Sequence, residues 1–167
     1  PKDALLATPR GLAHGFSDLM LAYNAQRLGA ATVALGIAEG AYQLALDHAH
    51  ERKQFGRSIG EFQGLQWMLA DMSVQLAAAQ ALIYKAAARA GGGFPNAIEA
   101  AQAKVFTAEM AIKVTNDALQ LFGAAGYSRN RPLERMARDA RMFTIGGGTS
   151  QMLRNLIGGR VFRHGPP

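Results

Sequence analysis

The 167-residue chain predicts an all-α fold: an antiparallel, up-and-down four-helix bundle with one short extra helix. Three observations predict it. Apolar residues recur at spacings of three and four through several long stretches. Ala dominates the composition, Leu and Met follow, and Val, Ile and aromatics are fewer, which favours helix over strand. No strand-like alternation of useful length appears. Hydrophobic residues make up 49%, enough for a sizeable core in one domain of ordinary size.

The elements follow in order. Residues 1–18 read as a lead-in segment, because Pro9, Gly11 and Gly15 argue against a long helix there. Residues 19–51 predict the first long helix, with Leu28, Ala31, Leu35, Ala38, Tyr42, Ala45 and Ala49 on one face. Residues 52–60 are a basic, glycine-punctuated link, short enough to make its flanking helices antiparallel neighbours. The second helix, 61–90, carries the stripe Leu65, Met68, Leu69, Met72, Leu76, Ala79 and Ile83. Gly91-Gly92-Gly93 ends it and Pro95 opens the next. The third helix, 95–122, has the widest apolar face: Ile98, Ala101, Val105, Ala108, Ile112, Leu119 and Phe122, widened by Phe106, Met110, Val114 and Leu121. It should be the most buried. Gly123 to Gly126 break it, and Pro132 starts a short charged helix to about Met142. Gly146 to Gly148 break that one, and a last helix covers 149–163. The bundle domain is thus expected over 19–163, with 164–167 as a tail.

Composition also narrows function. With no cysteine, disulfides and thiolate metal sites are impossible, and a reducing, cytoplasmic setting is the expectation. The net charge is +6, but the basic residues are scattered, unlike the concentrated face of a nucleic-acid binder. An anionic small ligand or an acidic partner domain suits the sign better. No apolar run is long enough for a membrane span. Pro1-Lys2-Asp3 does not look like a signal peptide, and the chain is expected to be part of something longer. His48 and His50 stand two apart, on different helix faces, so a metal site is not expected. Gly91-Gly92-Gly93 lacks the Lys-Ser/Thr of a P-loop, and Ser150 lacks the context of a nucleophile elbow.

The segment Ile145-Gly146-Gly147-Gly148-Thr149-Ser150-Gln151 is the most informative. Three glycines leave the backbone bare, and a hydroxyl pair opens a helix whose start favours an anion. Together with Glu51-Arg52-Lys53-Gln54-Phe55-Gly56, Glu61-Phe62-Gln63, Leu69-Ala70-Asp71-Met72, Asp117 to Tyr127 and Arg138-Asp139-Ala140-Arg141, it resembles the acyl-CoA dehydrogenase superfamily. The likeness runs from about Leu21 to Arg163 and covers only that family's C-terminal helical domain. It implies FAD as cofactor, an acyl-CoA thioester as substrate, N-terminal and middle domains elsewhere in the same protein, and a homo-oligomer, a dimer or tetramer.

The resemblance also implies roles. Arg52, Gln54 and Phe55 match a region that meets the FAD of a neighbouring subunit, where a guanidinium suits a diphosphate. Read without the likeness, Arg52 would only cap a helix C-terminus. Gln63 and Gln120 match glutamines near the FAD adenosine. Gly123 matches a close backbone approach, and Ala124 stands where most members have a second glycine. Thr149 and Gln151 match residues at the FAD pyrophosphate and adenine, and Thr149 could equally be a helix N-cap. Tyr23, Asn24 and Arg27 match positions near the pantetheine and pyrophosphate of the acyl-CoA, with Asn24 where members often have Asp.

One difference is chemical. Dehydrogenation of an acyl-CoA needs an ionised base at the α-proton. Most members supply a Glu where Gly147 stands, and a second group supplies one where Gln26 stands. Neither residue here can take a proton at neutral pH. A family branch that resembles this pattern, the 3-sulfinopropanoyl-CoA desulfinases, carries Gln at the position of Gln26. It releases sulfite and forms propanoyl-CoA without net oxidation, so the Glu is dispensable. The alternatives are a short- or branched-chain dehydrogenase with a base from another domain, a degenerate paralogue, or a non-catalytic bundle that serves assembly.

Overall fold

The computed structural model describes Leu5 and residues 10–165. Pro9, one basis for the expected lead-in segment, lies outside the described residues, as do the last two residues of the tail. The described residues are all-α apart from one minute hairpin. A 3-10 turn, Leu12–His14, leads into α1, Gly15–Glu51, which therefore begins four residues earlier than the glycine pattern suggested. The helix α2 covers Gln63–Ala88, α3 Ala97–Phe122, α4 Ala124–Tyr127, α5 Leu133–Met142 and α6 Ser150–His164.

The link between α1 and α2 is more ordered than its sequence suggested. Lys53–Gln54 (β1) pairs antiparallel with Arg57–Ser58 (β2), Lys53 opposite Ser58 and Gln54 opposite Arg57. Phe55 and Gly56 turn the corner with φ of 54° and 80°, the left-handed pair that a two-residue hairpin requires. Phe55 holds that conformation without being glycine, at a cost of roughly 1–2 kcal/mol. A 3-10 turn, Ile59–Glu61, follows. Its Ser58 and Glu61 form a reciprocal capping box, and the Ser58 hydroxyl also donates to the Ala49 carbonyl at the end of α1. These bonds fix the chain reversal.

Asn96, rather than Pro95, caps α3, its side chain accepting from the Ile98 and Glu99 amides. Gly123, with φ 59°, ends that helix. Only Gly123 breaks the chain there; the next residues form the single turn α4. Gly126 is obligatory, because a Cβ on it would lie 2.7 Å from the Leu119 carbonyl oxygen.

Helix α3 is the hub. It packs on α1, α2, α5 and α6 and carries more buried residues than any other element, as its apolar face led one to expect. One side chain departs from that reading. Phe106 is exposed, because it falls on the strip of α3 shared with Glu109, Lys113 and Asn116. The main core joins α1, α2, α3 and α5. Its contacts are unusually short-chained: Ala31, Ala34, Ala38, Ala41, Ala45 and Ala49 give α1 a seam without bulk that lets backbones approach. Met72 and Leu133 are the large side chains sealed within it. The fourth long helix, α6, is attached differently. It docks on α3 through Leu153 and Ile157 against Ala101 and Val105, and the Arg154–Glu109 ion pair closes the edge.

Candidate functional site

The residues singled out above fall at two ends of the molecule. At one end, α1 brings Gln26 beneath the turn 146–148. A Cβ built on Gly147 would lie 3.0 Å from Gln26 Oε1 and 3.4 Å from its Nε2, with no other residue as near. The two positions where a base was sought are therefore one place, and an amide occupies it. The turn owes its shape to glycine: φ is 69° at Gly147 and 95° at Gly148. The Ser150 amide, donating to the Thr144 carbonyl, closes it at 3.0 Å.

Beside Gln26 on α1, the Arg27 Nη1 donates to Asn24 Oδ1 at 3.0 Å. Asn24 is buried, and Arg27 Nε is buried without a hydrogen-bond partner among the described residues. Burial lowers the Arg27 pKa from its ordinary value, against a smaller opposing pull from Tyr23. Asn24 and Arg27 form the polar end of a groove of roughly 370 Å³ whose apolar end is Phe16, Met20, Leu21 and Leu156. Tyr23 is exposed on a neighbouring face and does not line that groove.

Thr149 is the N-cap of α6; its hydroxyl accepts from the Met152 amide at 3.2 Å. That leaves the backbone at the helix start, with exposed Gln151 beside it, facing a cavity of roughly 400 Å³ that Arg141 also lines. An anion would meet a helix N-terminus and the Arg141 guanidinium there, with the Glu109 carboxylate, paired to Arg154, on the same wall.

The remaining residues sit at the far end. Arg52, Gln54 and Phe55 follow the C-terminus of α1. Phe55 is 91% exposed, and Arg52 has no carboxylate partner among the described residues. Gln54 Nε2 donates to the Lys53 carbonyl, 2.8 Å away. Gln63 starts α2 and is exposed, as are Gln120, Gly123 and Ala124 at the end of α3. The two helix ends are tied together by His48 stacked on Phe122, ring centroids 4.0 Å apart. Burial first, then the charges of Arg52 and Arg131, lower the His48 pKa, against a smaller opposing pull from Glu51. The described residues hold no cluster of three or more His, Cys, Asp or Glu that could bind a metal.

From Gln26 to Arg52 the rise of α1 is about 39 Å, far beyond a single dinucleotide. One copy thus offers a helix start, Thr149 and Gln151 at one end and a bare guanidinium with an exposed aromatic at the other. A single FAD cannot meet both ends of one copy.

Sequence reasoning missed the group that ties the site to the core. Lys104, wholly buried on α3, donates its Nζ to the Gly148 carbonyl at 2.6 Å. Burial, and secondarily the nearby Arg27, lower its pKa. The only available signal was a lysine in the apolar stretch between Ala103 and Val105. The described residues contain no helix long and apolar enough to cross a membrane.

Comparison with known proteins gives these features a context. The family described as acyl-CoA dehydrogenase, C-terminal domain, matches residues 13–162. A 3-sulfinopropanoyl-CoA desulfinase of Paraburkholderia xenovorans is 66% identical over 159 residues, 95% of this chain and 41% of that protein. The short-chain-specific acyl-CoA dehydrogenase of Clostridium acetobutylicum is 48% identical over 149 residues, 89% of this chain and 39% of its own. Among solved structures, butyryl-CoA dehydrogenase from Megasphaera elsdenii superposes with a TM-score of 0.87 at 39% identity, covering 90% of this chain and 39% of that one. The chain therefore spans about two fifths of the length of the curated relatives it matches.

Proposed function

The chain belongs to the acyl-CoA dehydrogenase family, through that family's C-terminal domain, and from this premise we propose that it is the helical domain of a flavoenzyme acting as a 3-sulfinopropanoyl-CoA desulfinase. One observation carries the reading. The place where a carboxylate would remove the α-proton is filled by the Gln26 amide against bare Gly147 backbone, and neither ionises. Without a general base, ordinary dehydrogenation is slower by about 10²–10⁴-fold.

Desulfination has no such need. The carbon–sulfur bond breaks, its electron pair stays on carbon and is protonated, and sulfur leaves with a water oxygen as sulfite. Nothing is oxidised or reduced overall. The 66% identity to a desulfinase favours this branch over a dehydrogenase with a base from another domain. It also disfavours an assembly bundle without catalysis.

In this proposal Asn24 and Arg27 bind the CoA part of the thioester, with the Arg27 guanidinium as the cation facing its anionic groups. FAD, when bound, supplies a flavin ring that can exchange electrons with the acyl chain. Thr149 and Gln151 of one copy would hold it together with Arg52, Gln54, Phe55, Gln63, Gln120, Gly123 and Ala124 of another. A homo-oligomer is then part of the site, and the N-terminal and middle domains complete the acyl pocket. A cytoplasmic location completes the proposal.

The test uses the full-length protein with bound flavin. Given 3-sulfinopropanoyl-CoA, it should release sulfite and propanoyl-CoA in equal amounts. Given butanoyl-CoA and an artificial electron acceptor, it should reduce its flavin slower than a Glu-bearing relative by about 10²-fold or more. Rapid flavin reduction with no sulfite would establish the dehydrogenase instead.

A further inference from the structure

Among the fully buried side chains, Lys104 is the largest and the most expensive to place there. It has no carboxylate partner among the described residues, and its nearest charged neighbour by effect is another cation, Arg27. A buried charge without a counter-charge is destabilising compared with an apolar side chain of similar volume. Stability therefore does not account for it. What the ammonium does accomplish is local: it reaches across 44 residues of chain to a single backbone oxygen, that of Gly148.

That oxygen belongs to the most permissive stretch of the molecule. Gly147 and Gly148 both have positive φ, and glycine restrains neither torsion. The turn is anchored at its ends, by the Gly146 amide donating to the Met142 carbonyl at 2.9 Å and the Ser150 amide to the Thr144 carbonyl. Between those anchors the Lys104 bond is the one hydrogen bond that reaches the turn from another helix among the described residues. The helix it comes from is the hub of the fold, so the tether refers the turn to the most extensively packed element. A charge-assisted hydrogen bond in a dry setting is short and strong, and it also polarises the peptide whose N–H is that of Thr149, at the start of α6.

We propose that Lys104 is a positioning residue that holds the Gly146–Gly148 turn against Gln26 and so sets where the thioester's reactive carbons lie. The assignment rests on the functional reading above, because it presumes that substrate meets this turn. Lys104 itself touches neither substrate nor flavin. Displacing such a turn by about 1 Å costs up to about 10²-fold in rate.

The experiment compares full-length wild type with Lys104→Met in two readouts: sulfite released per bound flavin, and hydrogen exchange at the amides of residues 146–149. The variant should lose on the order of 10-fold or more in kcat with a smaller change in KM. Its turn amides should exchange faster while those of α1 and α3 stay as in wild type. A merely structural lysine would lower the yield of folded protein and leave kcat per bound flavin unchanged. Unchanged kcat together with unchanged turn exchange overturns the proposal. If the Met variant does not accumulate folded, Lys104→Gln carries the same readouts. A threefold or greater fall in kcat, with core exchange unchanged, supports the proposal, and a kcat equal to wild type sinks it. If wild type itself releases no sulfite, the functional reading has failed. The turn exchange, and the dissociation constant for propanoyl-CoA read from the flavin spectrum, then decide the Lys104 question alone.

Discussion

The alanine seam of α1 and the docking site of α6 are both buried surfaces of the same hub helix, yet they are built on opposite principles. The seam is dry and almost featureless: six alanines of α1, wholly or nearly buried, lie in the large cluster that holds most of the core. The α6 side has only Ala101, Val105, Leu153 and Ile157 for its apolar contact. Beside them the chain buries Lys104, Thr107 and Ser150. The first surface contributes area, and area is forgiving of detail. The second contributes little area and places polar groups where small displacements matter. Stability and geometry have been assigned to different sides of one helix.

Three substitutions or conditions would break or sharpen that contrast. The largest stability effect is expected in the seam's cluster. Met72→Ala empties a fully buried position and should cost about 2–5 kcal/mol, read as a fall in the unfolding midpoint of the full-length protein. A loss smaller than that of any change beside α6 would invert the contrast. Next is Gly148→Ala. The position has φ 95°, which L side chains rarely adopt, while a Cβ there would only touch Leu153 Cδ2 at 3.4 Å. Strain of about 1–3 kcal/mol follows, with a loss of sulfite release out of proportion to the loss of stability. Equal proportional losses in both would mean that the turn has no special geometric role.

The smallest effect is the pH response of Lys104. Its folded pKa is lowered, by burial first, while the unfolded chain keeps the ordinary value of about 10.4. Between the two, the unfolded state binds more protons, so stability rises with pH across that window. The penalty of the buried charge is fully present below it. Wild type should therefore gain stability relative to Lys104→Met as pH approaches 10, in paired denaturant titrations. A flat difference would show that the amine is not penalised where it sits.

The helices were legible because each carries its own periodicity. Leu28, Ala31, Leu35, Ala38, Ala45 and Ala49 are all buried as their spacing required, and so are Leu69, Met72, Leu76, Ala79 and Ile83. Phe106 was not legible, since hydrophobicity alone cannot tell an inward stripe from an outward one on a helix buried over most of its circumference. The hairpin was missed because its strands are two residues long and its signal is an unusual Phe-Gly at positive φ. At the site, sequence supplied Gln26 and Gly147 as separate absences. Their coincidence in space is a tertiary fact that no local pattern encodes. Lys104 was hidden for the same reason: its partner is a backbone oxygen, which every residue possesses.

That coincidence couples the two positions. Any side chain introduced at 147 must displace the one already contributed by 26, because both reach for the same few cubic ångströms. The tip of Gln26 has to move by a few tenths of an ångström to admit even a methyl at 147, so a change at either position alters the room left to the other.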